Sequence, residues 1–455
     1  MMLEANTDLE QALKYFKEAL QSAPNEVASH LNLSNVYITL GETELAMQHL
    51  RQALRLNPQH AESYNNLGRL YYKQGIILEA VPLFEKALRI NPHLWEAHYN
   101  LAHSLASQNK MEQAGVHYRE VIRLFPEHPI ARFHLGLIYA DIGDNTLAEI
   151  HLKKSLELDP NNIEAAKQLG QVYVNLGKLE EALTTYDTLL QLSPELSDIH
   201  HNIAILYLRN QEKLKALLHF EKSLALDPNN DTARHMVMAL RGENTSAAPS
   251  QYIAQLFDQY AEYYNEHLKT KLKYAAPALL RNAVGSCLGT NPTAGRVCDL
   301  GCGTGLAGIV FRDLARDLIG VDLSAKMLEK AEILGAYDKL IVSDINEYLQ
   351  TITIDDRFHL IIATDVLVYS GDLRNLFKNI TNALHPNGFF AFTTEYLASG
   401  TYALQVTGRF AHSSEYIQSL ATEYGLTLKV EEPLILREHE ERPVSGRIYV
   451  LRQRA

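Results

Sequence analysis

The chain has 455 residues and a formal net charge of −12, with 21% charged and 46% hydrophobic residues, which leaves room for two or three domains and disfavours nucleic acid as the main partner. Three cysteines, Cys287, Cys298 and Cys302, form no CxxC pair, so a reducing compartment is expected, with neither disulfide framework nor metal site. The opening residues carry no signal-peptide pattern and no apolar run approaches the ~18 residues of a membrane span, so the expected location is cytoplasmic.

In chain order, the first element is "DLEQALKYFKEALQSAP", Asp8 to Pro24, an amphipathic helix with Ala12, Phe16 and Ala19 in register. Prolines then recur every 34 residues, at Pro24, Pro58, Pro92, Pro126, Pro160, Pro194 and Pro228. Between Ala61 and Pro92, Tyr64, Leu67, Gly68 and Tyr71 share one helix face, and Ala80, Phe84 and Ala87 share another. The same set returns as Leu135, Gly136, Tyr139 and Ala148, and as Leu169, Gly170, Tyr173 and Ala182. On these residues the first half is identified as a tetratricopeptide array of six full repeats, Val27 to Pro228, behind a lone second helix at the start. "DTARHMVMAL", Asp231 to Leu240, reads as a closing helix that covers the last apolar face. Leu13, Phe16 and Leu20 in the opening helix lack the partner helix of their repeat.

A polar position precedes the repeat leucine: Asn32, Asn66, Asn100, His134, Gln168 and Asn202. Side chains at this register point into the concave groove, where amides suit a peptide backbone. The row is similar to the ladder of O-linked N-acetylglucosamine transferase, which implies a protein or peptide partner. Tolerated polar residues on an exposed face are the other reading. His30, His98 and His200 read as packing or groove residues rather than metal ligands.

"RGENTSAAPSQ" reads as a linker, giving domains over 1–241 and 252–455 with the linker at 242–251. Beyond it come two tyrosine-rich helices, then strand-like runs at "RVCDL", "DLIGVDL", "KLIVSDI", "FHLIIATDV" and "GFFAFTTEY". Helices are expected between them at Leu306–Arg316, Ala325–Leu334 and Leu373–Leu384. This alternation predicts an α/β doubly wound, Rossmann-like domain, and the last two strands should form an antiparallel edge hairpin. The whole chain is thus an α-solenoid followed by that domain.

The loop "DLGCGTGLAG" contains GxGxxG, with Asp322 following on, as a dinucleotide site requires. An acid at Asp299 would repel a pyrophosphate but suits an ammonium, and Asp344 ends the third strand where an adenine amine could bind. From Tyr252 onwards the chain resembles the class I S-adenosylmethionine-dependent methyltransferases, on "VCDLGCGTG", "GVDLS", "SDI", "TDVLVY" and "LHPNGFFAF". With the repeats, it resembles the tetratricopeptide-repeat methyltransferases of bacteria.

The resemblance implies that Asp299 orients the methionine ammonium and that Gly301, Cys302, Gly303 and Gly305 form the cofactor loop. The helix from Leu306 would face the methionine carboxylate. It also implies Asp322 and Leu323 at the ribose and adenine, Asp344 and Ile345 at the adenine, and Asp365 and Val366 at the methionine side. Tyr260 and Tyr264, from the entry helices, read either as a lid over the cofactor or as residues that only pack on the sheet. The acceptor side should involve Tyr369, Glu395 and Tyr396, with Arg409 clamping an anion and His412 as base; a histidine merely beside a helix cap at Ser413 stays open. The expected reaction is methylation of a small molecule or carboxylate. The alternative is an adaptor whose second half only binds cofactor.

Overall fold

The computed structural model describes residues 2–260, 275–288, 295–439 and 442–454. Two compact units divide between Glu195 and Leu196. The first opens with α1 (Met2–Ser22) and continues as α2 and α3 (Val27–Leu40, Thr43–Leu56), then α4 and α5 (Ala61–Lys73, Ile77–Ile90). It goes on with α6 and α7 (Trp95–Ala106, Met111–Leu124), α8 and α9 (Pro129–Asp141, Asn145–Leu158), and α10 and α11 (Ile163–Asn175, Leu179–Leu192).

The repeat residues are what pack each pair. Ala46, Ala80, Ala114, Ala148 and Ala182 are fully buried. A Cβ added at Gly170 would stand 2.2 Å from the Tyr186 ring, so the ring of α11 fills the space that a larger residue on α10 would take. Burying rings such as Phe84, Tyr118 and Tyr186 contributes roughly 1.5–3 kcal/mol each. Leu13, Phe16 and Leu20 of α1 lie half-buried against Leu33, Tyr37 and Met47. The array histidines form pairs: Nδ1 of His30 meets Nδ1 of His49 at 3.0 Å, and Nδ1 of His98 meets that of His117 at 2.9 Å. The outer nitrogens of His30 and His98 reach the carbonyls of Pro24 and Pro92, which leaves each Nδ1 to accept from its partner.

The second unit opens with α12 (Ser197–Arg209), α13 (Lys213–Leu226) and α14 (Asp231–Arg241). His200 and His219 repeat the histidine pair at 3.2 Å. Ala233, Met236 and Val237 of α14 pack with Phe220, while Ala239 packs with Tyr369, Leu404 and Phe410. The closing helix is therefore covered on two sides. Within 242–251, Asn244, Ser246 and Ala248 are hydrogen-bonded to the α/β fold, and Ala247 forms an antiparallel bridge with Ser370.

Next come α15 (Ser250–Tyr260) and α16 (Ala276–Leu288). A nine-stranded sheet follows, with β1 (Gly295–Leu300), β2 (Ala315–Asp322), β3 (Lys339–Val342), β4 (Phe358–Ala363) and β5 (Leu384–Leu397) parallel in the order β3-β2-β1-β4-β5. Helices α17 (Leu306–Phe311), α18 (Ala325–Leu334), α19 (Ile345–Gln350) and α20 (Arg374–Ala383) lie between these strands in sequence. Alternate residues feed two cores: Val297, Leu318 and Ile362 face one, with α16 and α17, and Cys298, Ile319 and Ile361 face the other, with α20. The helix expected over Leu306–Arg316 stops at Phe311. Arg312 to Leu314 form a 3-10 turn, where the Arg312 guanidinium donates to the carbonyls of Ala315 and Ala336.

Past β5 the chain forms β6 (Tyr402–Leu404) and β7 (Phe410–Ser413), an antiparallel hairpin absent from the sequence expectation. Helix α21 (Ser414–Glu423) follows, then the expected antiparallel pair β8 (Leu426–His439) and β9 (Arg442–Gln453). One edge of β5 is shared. Phe389 to Glu395 pair antiparallel with β9, and Glu395 to Leu397 pair parallel with β7.

Candidate functional site

Strands β1 and β4 are neighbours whose chain continues in opposite directions across the sheet, and ligands of such folds bind at the carboxyl ends beside that switch. Asp299 ends β1 there, fully buried. Tyr337 donates its hydroxyl to Asp299 Oδ2 at 2.6 Å and accepts from the Gly308 N–H at 3.0 Å. A Cβ at Gly308 would lie 2.3 Å from Tyr337 Cζ. The third glycine of the motif thus makes room for the tyrosine that holds the acid. Asp299 Oδ1 has no hydrogen-bond partner among the described residues. Burial pushes the Asp299 carboxyl up to about 7, against the Tyr337 bond and with help from the charge of Asp322.

Asp322 ties the loop to β2. Its Oδ2 accepts from the Gly303 N–H at 2.8 Å and its Oδ1 from the Ser324 N–H at 2.9 Å. Burial raises its pKa, and these two N–H groups oppose the rise. A Cβ on Gly301, whose φ is +65°, would meet Val366 Cγ2 at 2.3 Å, so the loop and the turn after β4 are in direct contact. Asp299, Gly301, Gly303, Asp322 and Val366 are therefore brought together. Gly305 caps α17 at φ +92°, Leu323 is half-buried, and Cys302 is buried with its thiol pKa raised by that burial.

Other expected residues stand differently. Asp344 Oδ1 caps α19, accepting from Asn346 N at 2.8 Å, and Ile345 packs half-buried on the sheet core. Asp365 has φ +59°, an uncommon conformation for a residue with a side chain, and donates its N–H to Thr393 Oγ1 at 2.9 Å. Its carboxylate accepts from Arg437 at 2.7 Å. The side chain of Tyr260 and all of Tyr264 lie outside the described residues. Neighbouring residues of α15 do reach the site: Asp258 accepts from the Ser324 hydroxyl, and the Phe257 ring meets Tyr369 edge-on at 5.5 Å.

On the acceptor side, buried Arg437 donates to Glu395 as well as to Asp365, which satisfies both acids. The Arg409 guanidinium lies 5.7 Å from the centre of the Tyr369 ring and 4.0 Å from Glu395 Oε1, beyond a direct hydrogen bond, with a quarter of its side chain exposed. Tyr369 is buried and Tyr396 is 40% exposed, with the Arg447 guanidinium over its ring. His412 requires a correction. It is fully buried, its Nε2 donates to the carbonyls of Ser370 at 2.9 Å and Gly371 at 3.1 Å, and burial lowers its pKa to about 4. The reason is position: β7 runs between β5 and β6, so the ring is enclosed and cannot reach an acceptor. Ser413 caps α21, accepting from Tyr416 N at 3.1 Å. Sequence reasoning missed Tyr337, Arg437, Thr393 and Asp258. Only Arg437 left a trace, as the first of the charges that follow the apolar run "PLIL".

In the first unit, the groove row is partly bonded to neighbouring side chains outside it. Asn66 donates to Asn35 at 3.0 Å, Asn100 to Asn65 at 2.8 Å, and Gln168 to Glu164 at 2.9 Å. His134 stacks on Tyr118 at 5.2 Å, and with Gln168, Gln171 and Asn175 it lines a cavity of about 550 Å³. Asn32 is exposed, and Asn202, in the second unit, is half-buried.

A methyltransferase domain model matches residues 293–437, and tetratricopeptide-repeat models match segments between residues 3 and 230. The chain is a tetratricopeptide-repeat array fused to a methyltransferase domain. That domain is similar to the malonyl-(acyl-carrier protein) O-methyltransferase of Salmonella typhimurium, 26% identical over 39% of this chain and 67% of the relative. It is 32% identical to the corresponding protein of Pseudescherichia vulneris over 33% of this chain and 55% of that one. A ubiquinone biosynthesis O-methyltransferase of Rhodopseudomonas palustris is 26% identical over 26% of this chain and 47% of its own. The chain spans between about half and two thirds of the length of these relatives. Among solved structures, the array is similar to YrrB, a tetratricopeptide-repeat protein, at 24% identity and a TM-score of 0.40, covering 41% of this chain and 96% of that one. No helix among the described residues is long and apolar enough to cross a membrane.

Proposed function

We propose that the methyltransferase domain transfers a methyl group from S-adenosylmethionine to a carboxylate oxygen of a small or carrier-bound acid, and that the array holds a peptide segment of a partner protein in its groove. The fit of the cofactor rests on Asp299. Its buried Oδ1 is an acceptor in need of a donor, and the ammonium of the methionine moiety is such a donor. Asp322 would accept the ribose hydroxyls with the lone pairs that Gly303 and Ser324 leave free. When bound, the cofactor supplies a methyl group activated by its sulfonium. The domain relatives named for O-methylation support the oxygen as acceptor atom.

The observation that carries the acceptor class is Arg409. Arg437 is satisfied by Asp365 and Glu395, whereas Arg409, a quarter exposed, hydrogen-bonds Tyr369 and stands 4.0 Å from Glu395 Oε1, so that some of its five N–H donors are left for an anion. A guanidinium of this kind orients a carboxylate through one oxygen and leaves the other free for in-line attack. A carboxylate is ionised at neutral pH and needs no base, which agrees with the burial of His412. In the groove, the Asn66 and Asn100 carbonyl oxygens remain available to peptide N–H groups, and the cavity beside His134 and Gln168 takes a side chain. We assign the array to 1–241 and the methyltransferase domain to 252–455.

The test uses methyl-labelled cofactor with malonyl-pantetheine and with a catechol as acceptors. A methyl ester releases its label as methanol in mild base, and a methyl ether does not. Base-stable label on the catechol alone would refute the carboxylate reading, and a third arm with cell extract that also takes up no label would favour an adaptor.

A further inference from the structure

Hairpin β6–β7 carries the proposed acceptor wall, since Arg409 immediately precedes β7. Elements from the far side of the supposed linker hold it. The His235 ring of α14 is 2% exposed, and its Nε2 donates to the Gly408 carbonyl, next to Arg409, at 2.8 Å. The Asn244 side chain clips β6: its Nδ2 donates to the Tyr402 carbonyl at 3.1 Å and its Oδ1 accepts from the Leu404 N–H at 2.7 Å. The Ser246 carbonyl accepts from Gly371 N at 2.9 Å and Asp372 N at 2.8 Å. Ala248 N donates to the Tyr369 carbonyl at 2.9 Å. One apolar cluster joins Ala239 and Ala248 to Tyr369, Leu404 and Phe410. Both ends of the Arg409–Tyr369 contact are thus anchored to residues 235–248. The hairpin is short, three residues in one strand and four in the other, and β6 has β7 as its only strand neighbour among the described residues. Hairpins of that size are marginal without outside support.

We infer that the closing helix of the repeat array and the segment 244–248 are a positioning element of the acceptor pocket, with His235 and Asn244 setting Arg409 against Tyr369. The closing helix then completes a pocket on the methyltransferase domain. This rests on the reading of Arg409 as the acceptor-binding cation, and the experiment separates the two.

Hydrogen exchange of the full chain is followed by mass spectrometry at 402–413, with 315–322 as reference. His235→Ala and Asn244→Ala should speed exchange at 402–413 at least tenfold, with the reference and the affinity for S-adenosylhomocysteine within twofold. His235→Gln, which keeps a donor for the Gly408 carbonyl, should restore protection. With malonyl-pantetheine as acceptor, KM should rise at least tenfold in both alanine variants at unchanged kcat. Unchanged exchange at 402–413, equal acceleration in the reference, or an unmoved KM on a loosened hairpin overturns the inference. A wild type that leaves malonyl-pantetheine unmethylated while the hairpin loosens as expected removes the acceptor reading and leaves the positioning role standing.

Discussion

Cofactor affinity should depend on pH through Asp299. Its carboxyl titrates at about 7 in the folded protein, because burial disfavours the charged form. The ligand ammonium needs the carboxylate, so at low pH binding must first remove a proton. The penalty on affinity is the factor 1 + 10^(pKa − pH), which is about 11 at pH 6 and about 1.3 at pH 7.5 for a pKa near 7. The dissociation constant for S-adenosylhomocysteine should therefore rise roughly eightfold, or ~1.2 kcal/mol, between pH 7.5 and pH 6. The sign for folding is opposite to the usual acid case. A carboxyl whose folded pKa is raised stabilises the ligand-free protein below its unfolded value near 4 and loses that contribution as pH climbs towards about 7. Calorimetry over pH 6 to 7.5, in two buffers of different ionisation enthalpy, reads both the affinity and the proton release. Asp299→Asn should bind weakly with no pH dependence. A wild-type affinity flat over this range, with no proton released, would refute the reasoning.

Asp322→Ala should weaken cofactor binding by roughly 1–3 kcal/mol, as lost charge-assisted hydrogen bonds do, and calorimetry at pH 7.5 measures it. Gly308→Ala places a Cβ within 2.3 Å of Tyr337 and should destabilise the domain by roughly 1–3 kcal/mol in urea unfolding; a neutral result would mean that the ring shifts freely. His412, held neutral with a pKa of about 4 against about 6.5 unfolded, contributes stability above pH 6.5 that is lost as pH falls towards 4. That loss amounts to at most ~3 kcal/mol, and His412→Gln should show a shallower decline in urea unfolding between pH 7 and 4.5.

The array was legible because its information is local and repeated. Each pair needs small residues on one helix and large ones on the next, and the 34-residue period displays that six times. The glycine loop was legible for a related reason, since Asp299 to Gly308 are ten consecutive residues. The partners that complete the site lie far away in sequence. Tyr337 is 38 residues from Asp299, and Arg437 is 72 residues from Asp365, distances over which no periodicity carries. His412 looked like a base because a histidine beside a polar loop is usually wet. The sheet enclosed it only because a four-residue strand, too short to read as a pattern, passes between two others. The segment 242–251 reads as a linker by composition, yet small polar residues also suit close bonding to a neighbouring chain: Asn244 bonds β6 through its side-chain amide, and Ser246 to Ala248 pair through their backbone with residues 369–372.

The divided edge of β5 has a consequence for how such a domain can change. The strand gives its first stretch to β9 and its last residues to β7, and Glu395 pairs with both Gly446 and Ala411 at the division. The cofactor half is complete without the β7 stretch. Insertions between Leu397 and Phe410 need only close a longer loop, at about 0.6 kcal/mol per doubling of length. On the proposed reading, a lineage can thus exchange the hairpin on the acceptor side while the crevice beside Asp299 stays as it is. In this chain the exchange is not free, because a new hairpin has to fit the helix that ends the repeats, so acceptor choice and array would have to evolve together.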